Sequence, residues 1–325
     1  MRERSAMILG AGVSGLTCGL RLLEEGFSVR ILAHTLPPDT TSNVAPAYWY
    51  PYKVAPQDRV LGWAAFSYAR FVDLSLIPGS GISMSPLLKI FDQKVDEPFW
   101  KSAVRAFRRA EPGELPPGYV DGFVIEVPRI ETPVYMRYLL NRFTGSGGVL
   151  DKLAGEASSL EEISGDVPLL INCTGLGAGK LCHDGSTFPI RGQIVIVKNM
   201  GYKRIISVES GKLAPIYIVP RNDDCILGGT AEENNWDLNI DPATSDKILS
   251  KCIAIEPSLA DAEILGHRVG LRPGRTEVRL ELEELSGGGT VIHDYGHGGA
   301  GFTLSWGCAE EVHKLAEDFY SRNEN

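Results

Sequence analysis

The sequence predicts an α/β (α+β mixed) fold, and three stretches predict it. A buried strand, a glycine turn and an amphipathic helix open the chain. A second strand, glycine turn and helix close it. Between them lies a strand-rich region whose proline- and glycine-containing turns do not continue a doubly wound alternation.

At the opening, Ala6 to Leu9 reads as a short buried strand. Gly10-Ala11-Gly12-Val13-Ser14-Gly15 follows, a G-x-G-x-x-G turn. Val13, Leu16, Leu20 and Leu23 then share one helical face, and Gly26 ends the helix. Val29 to Leu32 is the second strand. In this βαβ setting the glycines allow a tight turn, close approach of backbone to a pyrophosphate, and tight helix–strand packing, so a dinucleotide site is expected. The acid that usually closes the second strand and holds a ribose hydroxyl is missing. Its place reads Ala33-His34-Thr35, which leaves Thr35, His34 or backbone groups for that task.

Residues 36–52 form a hydroxyl-rich turn that runs into aromatics, a cradle for phosphate followed by apolar walls for a flat ring. Residues 58–76 carry a helical period. Residues 78–130 read as short strands between turns, an inserted second domain. Thr132 is placed as the cap of a helix with Pro133 at its first position. Pro168 to Cys173 is a buried strand that returns the chain to the first domain and delivers the turn Thr174 to Gly179. Strands follow at 193–197, 217–219 and 225–227, the last two in antiparallel pairing. Asp241-Pro242 caps a helix through Ile248, Cys252 and Ile255. Leu271-Arg272-Pro273-Gly274-Arg275 reads as a rigid basic turn. At the close, Thr290-Val291-Ile292 leads into Tyr295 to Gly307, and Val312, Leu315, Ala316 and Phe319 continue at helical spacing. This stretch lets bare backbone and the first N–H groups of a helix press against a bound group.

With 325 residues the chain can bury a large core. A net charge of −9 argues against nucleic acid as a partner. No signal peptide, membrane-spanning segment or carboxyl-terminal peroxisomal tripeptide is read, so a cytoplasmic protein is expected. The six cysteines are scattered with no C-x-x-C pair, which argues against zinc or a disulfide scaffold. No metal is expected.

Taken together and in order, Gly10–Gly15, Asn172-Cys173-Thr174-Gly175, Gly270-Leu271-Arg272-Pro273 and Tyr295–Gly307 resemble the D-amino-acid oxidase family of FAD flavoproteins. Arg191-Gly192-Gln193 and Tyr217-Ile218-Val219-Pro220 fit the same pattern, and the resemblance spans nearly the whole chain. It implies a Rossmann-like FAD-binding domain (1–52, 145–190 and 265–325) interleaved with an antiparallel-sheet substrate domain (53–144 and 191–264). It implies oxidative deamination of a D-amino acid, with the α-hydrogen leaving as hydride, oxygen as acceptor and hydrogen peroxide as product.

By the same resemblance Arg272 grips the substrate carboxylate, Tyr217 supports it with its hydroxyl, and the carbonyl of Gly299 accepts from the substrate amine. No side chain acts as acid or base at the α-carbon. The FAD contacts it implies begin with Gly10, Ala11, Gly12, Val13, Ser14 and Gly15. They continue through His34, Thr35, Thr40, Thr41 and Ser42, then Ala47, Tyr48 and Ala157. The later ones are Thr174, Gly175, Arg272 and the run Gly298, Gly299, Ala300, Gly301, Phe302 and Thr303. A planar guanidinium suits a carboxylate because two parallel hydrogen bonds fix the pose. His297 reads as a packing or turn residue, and Arg275 and Arg279 as solvated.

Two departures from the family bear on substrate. Leu213 stands where mammalian members carry a second active-site tyrosine, which opens the entrance or makes it more apolar. Ala231, after Gly228-Gly229-Thr230, stands where the D-aspartate oxidase branch carries an extra arginine. Neutral, apolar D-amino acids are therefore the expected substrates. The expected partners are that small molecule and oxygen, with no membrane, and a homodimer is left open. The competing readings are another flavin amine oxidase of the glycine or sarcosine oxidase kind, and a D-amino-acid dehydrogenase that does not use oxygen.

Overall fold

In a computed structural model of the chain, residues 4–153, 155, 159–164 and 167–323 are described. In chain order the elements are β1 (Ser5–Leu9), α1 (Val13–Glu24), β2 (Ser28–Ala33), α2 (Thr41–Val44), β3 (Ala47–Tyr48) and α3 (Gln57–Ser75). Then come β4 (Ile82–Phe91), β5 (Phe107–Arg109), β6 (Asp121–Ile130), α4 (Thr132–Gly145), β7 (Val149–Lys152) and α5 (Leu160–Ser164). The middle continues with β8 (Leu170–Asn172), α6 (Gly177–Leu181), β9 (Phe188–Lys198), β10 (Ile205–Val208), β11 (Ile216–Pro220) and β12 (Asp224–Gly228). The chain ends with β13 (Glu232–Glu233), α7 (Pro242–Ile255), β14 (Ile264–Gly274), β15 (Arg279–Glu284), β16 (Thr290–Tyr295) and α8 (Gly301–Asn323).

The strands sort into two sheets. Six form the order β15-β16-β8-β1-β2-β7, parallel throughout except for the β15–β16 hairpin. The strand-helix-strand opening enforces this: β1 and β2 pair in parallel from Ser5↔Ser28 to Leu9↔Leu32, and α1 crosses between them. Helix α1 packs on α8 and α4, and α8 packs on α3. The α3–α8 contact is close because of Gly307, where a Cβ would lie 2.2 Å from the Trp63 carbonyl oxygen. No other residue fits that crossing.

The ten-stranded second sheet follows β13-β9-β12-β11-β10-β4-β6-β3, with β14 on β9 and β5 on β6. Its two faces differ by the period-two alternation of strands. One face puts Ile90, Val195, Val197, Ile206 and Ile218 under Ile248, Cys252 and Ile255 of α7. The other carries a row set by the registers Lys89↔Ser207, Ser207↔Tyr217 and Tyr217↔Gly228. One large apolar core joins residues of both sheets, Ile8 and Ile171 with Ile125 and Ile194 among them.

Most sequence-predicted elements stand, including the antiparallel pair Val219↔Ile226 and the Asp241 cap, whose carboxylate accepts from the N–H groups of Ala243 and Thr244. Four expectations need correction. Residues 78–130 hold two paired strands of 10 residues each, β4 and β6, rather than short ones. Leu271 to Gly274 is not a turn but the end of β14, paired with β9. Pro273 is tolerated because it faces Pro189, where neither residue has an N–H to donate. Thr132 does not cap α4. Its hydroxyl donates to the carbonyls of Asn43 (3.2 Å) and Ala45 (3.0 Å), which ties α4 to the end of α2. Nor are Arg275 and Arg279 merely solvated. Arg275 donates to Asp184 at 2.8 Å, and Arg279 donates to the Tyr295 hydroxyl at 3.0 Å and to Glu283 at 2.7 Å.

Candidate active site

A cavity of about 660 Å³ runs between the two sheets. One end lies over the glycine turn after β1, and the other reaches Tyr217 and Arg272.

At the first end, local geometry demands glycine. Gly10 has φ +103°, and a Cβ there would sit 2.5 Å from the Cys173 carbonyl oxygen. A Cβ on Gly15 would sit 1.9 Å from the Gly10 carbonyl oxygen. Gly15 therefore closes the turn and does not itself line the cavity. Gly10, Ala11, Gly12, Val13 and Ser14 do line it. No side chain caps the start of α1 from Gly12. Instead the Val13 N–H donates to Ser42 Oγ at 3.0 Å, which brings the hydroxyl-rich segment 40–42 onto the helix N-terminus. Thr40, Thr41 and Ser42 all line the cavity. His34 and Thr35 lie exposed at its mouth, the histidine Nδ1 3.3 Å from the threonine Oγ1.

Along the cavity, Ala47, Tyr48, Thr174 and Gly175 line the walls, as do Gly298, Gly299, Gly301, Phe302 and Thr303. Ala300 is fully buried and does not line it. The Thr303 hydroxyl is already used: it donates to the Tyr50 carbonyl and accepts from the Tyr50 N–H, both at 3.0 Å. Its service is to hold the aromatic wall rather than to offer a side-chain contact. Ala157 lies outside the described residues.

Behind the closing glycine turn a buried carboxylate is satisfied in an unusual way. Asp294 accepts from the thiols of Cys18 (3.4 Å) and Cys173 (3.7 Å), and its other oxygen lies 3.0 Å from His297 Nε2. Hydrogen bonding to Cys173 and burial push the Cys18 thiol up; the hydrogen bond with Cys18 lowers Cys173, but burial and Asp294 outweigh it and raise it, so both stay protonated donors. His297 is thus a packing residue with a partner, and the six cysteines are free.

At the second end a cation, Arg272, and a hydroxyl, that of Tyr217, line the cavity. Arg272 donates to the Thr230 carbonyl at 3.1 Å, and it makes no ion pair among the described residues. Its guanidinium lies on bare backbone, since a Cβ on Gly192 would be 2.4 Å from Nη1. Tyr217 is fitted likewise against Gly228 and Gly229, where a Cβ would meet its ring at 2.0 Å and its hydroxyl at 2.6 Å. The Tyr217 hydroxyl is buried with no hydrogen-bond partner of good geometry. Burial raises its pKa although nearby Arg272 opposes the shift, so it remains a donor. Gly299 lies beside both Tyr52 and Arg272. Among the described residues the guanidinium has no carboxylate partner and the phenol no partner of good geometry, a pair of donors whose chemistry suits a carboxylate.

Sequence reasoning missed part of this end. Glu209, which lines it, and Lys89, buried beneath Tyr50 with its Nζ 3.7 Å from the ring centroid, were not read, and Tyr50 and Tyr52, read only as walls for a flat ring, line the cavity here as well. The period-two run Tyr48, Tyr50, Tyr52, with Trp49 turned into the core, was the available signal.

The profile of the FAD dependent oxidoreductases matches residues 5–315, the class that this fold and cavity define. A D-amino-acid oxidase of Rubrobacter xylanophilus is 48% identical over 312 residues, 96% of this chain and 95% of that protein. A D-aspartate oxidase of Homo sapiens is 35% identical, over 96% of this chain and 94% of that protein. A glycine oxidase from Geobacillus kaustophilus superposes with a TM-score of 0.81, covering 97% of this chain and 95% of that one. Its 19% identity makes that a likeness of fold. The chain belongs to the D-amino-acid oxidase family of FAD dependent oxidoreductases, and FAD is its cofactor.

The residues present fit that cofactor. The first glycine turn admits no Cβ at Gly10 or Gly15, the N-terminus of α1 is uncapped by its own residue, and hydroxyls gather beside it. These features suit a pyrophosphate at one end of the cavity and leave its middle walls to a flat ring. No helix among the described residues is long and apolar enough to cross a membrane.

Proposed function

We propose that the protein oxidises neutral, apolar D-amino acids to imino acids, which hydrolyse to 2-oxo acids and ammonia. The observation that carries this reading is the unpaired Arg272 beside the unsatisfied Tyr217 hydroxyl. Arg272 binds the α-carboxylate through its fork of donors, and Tyr217 donates to the same group. The Gly299 carbonyl accepts from the amine. FAD, when bound, supplies the two-electron acceptor and passes the electrons to oxygen, giving hydrogen peroxide. The chain's own residues bind and orient. Holding the α-hydrogen in line contributes on the order of 7–11 kcal/mol by effective molarity, and no side chain is required as a base at that atom. Tyr217, its pKa raised by burial, serves as a donor throughout the physiological range. Ala231 in the cavity wall adds no second cation for an acidic side chain.

The interleaved division into 1–52, 145–190 and 265–325 for FAD, and 53–144 and 191–264 for substrate, is part of this reading. The two sheets support it, with three exceptions: residues 47–48, 188–190 and 265–274 join the second sheet. A homodimer also belongs to it. Trp236, Leu238 and Ile240 form an exposed apolar strip of the kind an interface covers, and sedimentation checks that point. We place the protein in the cytoplasm, in keeping with six free cysteines.

The test is peroxide release by the yellow holoprotein with D-valine, D-alanine, D-aspartate, their L-forms and glycine, beside Arg272→Ala. Peroxide from neutral D-forms, lost in the variant, is expected. Peroxide from glycine alone would favour a glycine oxidase. Bleaching by D-amino acids without peroxide would favour a dehydrogenase.

A further inference from the structure

The substrate end of the cavity holds a charge pair that the carboxylate clamp does not use. Lys89 and Glu209 form an ion pair across the second sheet. The register Lys89↔Ser207 and Ser207↔Tyr217 puts Lys89, Ser207 and Tyr217 in one row on the cavity face. Glu209 follows Ser207 by two residues and lines the same cavity.

The two ends of the pair are not equivalent. The Lys89 side chain is 1% exposed, and the Glu209 side chain is 27% exposed. The Tyr50 ring covers the ammonium at 3.7 Å, and Phe91 lies on it as well, at 5.9 Å. The Tyr50 hydroxyl also reaches towards Glu209 Oε2, at 3.4 Å. The positive end is therefore sealed in the wall while the negative end faces the space a substrate side chain would occupy. Among the described residues beside Tyr217, Arg272 is the other charged group that lines this end, and in the oxidase reading the α-carboxylate takes it.

We propose that Glu209, held by the buried Lys89, sets side-chain specificity: it disfavours D-amino acids that end in a carboxylate and admits those that end in an ammonium or guanidinium. This deepens the oxidase reading and rests on it. A second carboxylate entering beside Glu209 would meet a like charge with no cation facing it. A cationic side chain would find an acceptor already ordered by its buried partner. A buried ion pair is a poor source of stability compared with apolar packing, which suits a pair kept for selectivity.

The experiment compares kcat/KM of the FAD-loaded wild type, Glu209→Gln, and the double variant Lys89→Met/Glu209→Gln, on D-leucine, D-glutamate and D-arginine. The double variant removes the stranded ammonium, in case the single variant folds poorly. In both variants the D-glutamate to D-leucine ratio should rise tenfold or more, chiefly through KM, and the D-arginine to D-leucine ratio should fall. Wild-type turnover of D-leucine with both ratios within twofold in the variants would overturn the specificity role alone. No turnover of any D-amino acid by the wild type would overturn the oxidase reading, and this inference with it.

Discussion

The two ends of the cavity are built by opposite means. The FAD end is made of absences: Gly10 and Gly15 have no side chains, and backbone meets backbone there at distances a methyl group would not allow. The substrate end is made of presences: Arg272, Tyr217, Glu209 and Lys89 each carry a functional group placed by strand register. Glycine appears there too, but as a bed. Gly192, Gly228 and Gly229 make room for the arginine and the tyrosine. A site for a constant cofactor is specified by local shape. A site for a chosen substrate is specified by long-range pairing.

Substitutions should separate the ends. The largest effect is expected from Gly15→Ala, whose methyl would lie 1.9 Å from the Gly10 carbonyl oxygen. Overpacking at backbone costs about 3 kcal/mol or more, so FAD affinity should fall more than a hundredfold, read as a colourless protein after dialysis. Arg272→Ala should stay yellow and lose about a hundred- to thousandfold in kcat/KM, on the order of 3–4 kcal/mol for a removed charge partner. A colourless Arg272→Ala protein would dissolve the distinction between the ends. Tyr217→Phe removes one hydrogen bond to a charged group, about 1.5–3 kcal/mol, and should raise KM roughly tenfold or more with FAD retained. Ser42→Ala removes the acceptor of the Val13 N–H. A lost cap costs about 1 kcal/mol, so a fivefold weakening of FAD binding with little change in substrate KM is expected.

A further effect concerns pH. Burial lowers the Lys89 pKa to about 8, against the pull of Glu209. Between that value and the ordinary lysine value of about 10.4, the unfolded chain holds a proton that the folded one has shed. Stability contributed at this position should therefore rise with pH across that window. Thermal melts of the wild type and of Lys89→Met/Glu209→Gln at pH 7.5 and 9.5 would read it. The wild type should gain relative to the double variant, and a relative loss would reverse the assignment.

The same contrast explains what the sequence reveals. Gly10 to Gly15 and Tyr295 to Gly307 are legible because their strand–turn–helix order is local and announced by the glycines themselves, although the groups they press against, Cys173 and Trp63 among them, lie far along the chain. The roles of Arg272 and Tyr217 were legible only through resemblance; the strand that carries Tyr217 was read correctly, and the setting of Arg272 was misjudged. Pro273-Gly274 signals a turn locally, yet pairing with β9 holds it as strand. Glu209 was invisible because its partner Lys89 lies 120 residues earlier on a parallel neighbour. Arg279 was misread for a similar reason, since its acceptor Tyr295 stands across the hairpin, directly opposite in register. Thr132 carried the right residue type for a cap, but a closer pair of carbonyls claimed its hydroxyl.

Arg272 sits in a ladder that runs from Ile264 to Gly274 against β9, whereas the aromatic wall opposite hangs from β3, paired with β6 only at Ala47↔Ile130 and Tyr48↔Arg129. Anchorage is thus unequal across the gap through which a substrate must pass. The arginine is a fixed post that few changes can shift without unzipping a strand. The tyrosine side is secured by two residue pairs, by the Trp49 N–H on the Pro128 carbonyl at 2.8 Å and by Thr303, a shorter anchorage than the 11-residue strand that carries Arg272, so the tyrosine wall is the side that can be rebuilt with the least loss of pairing.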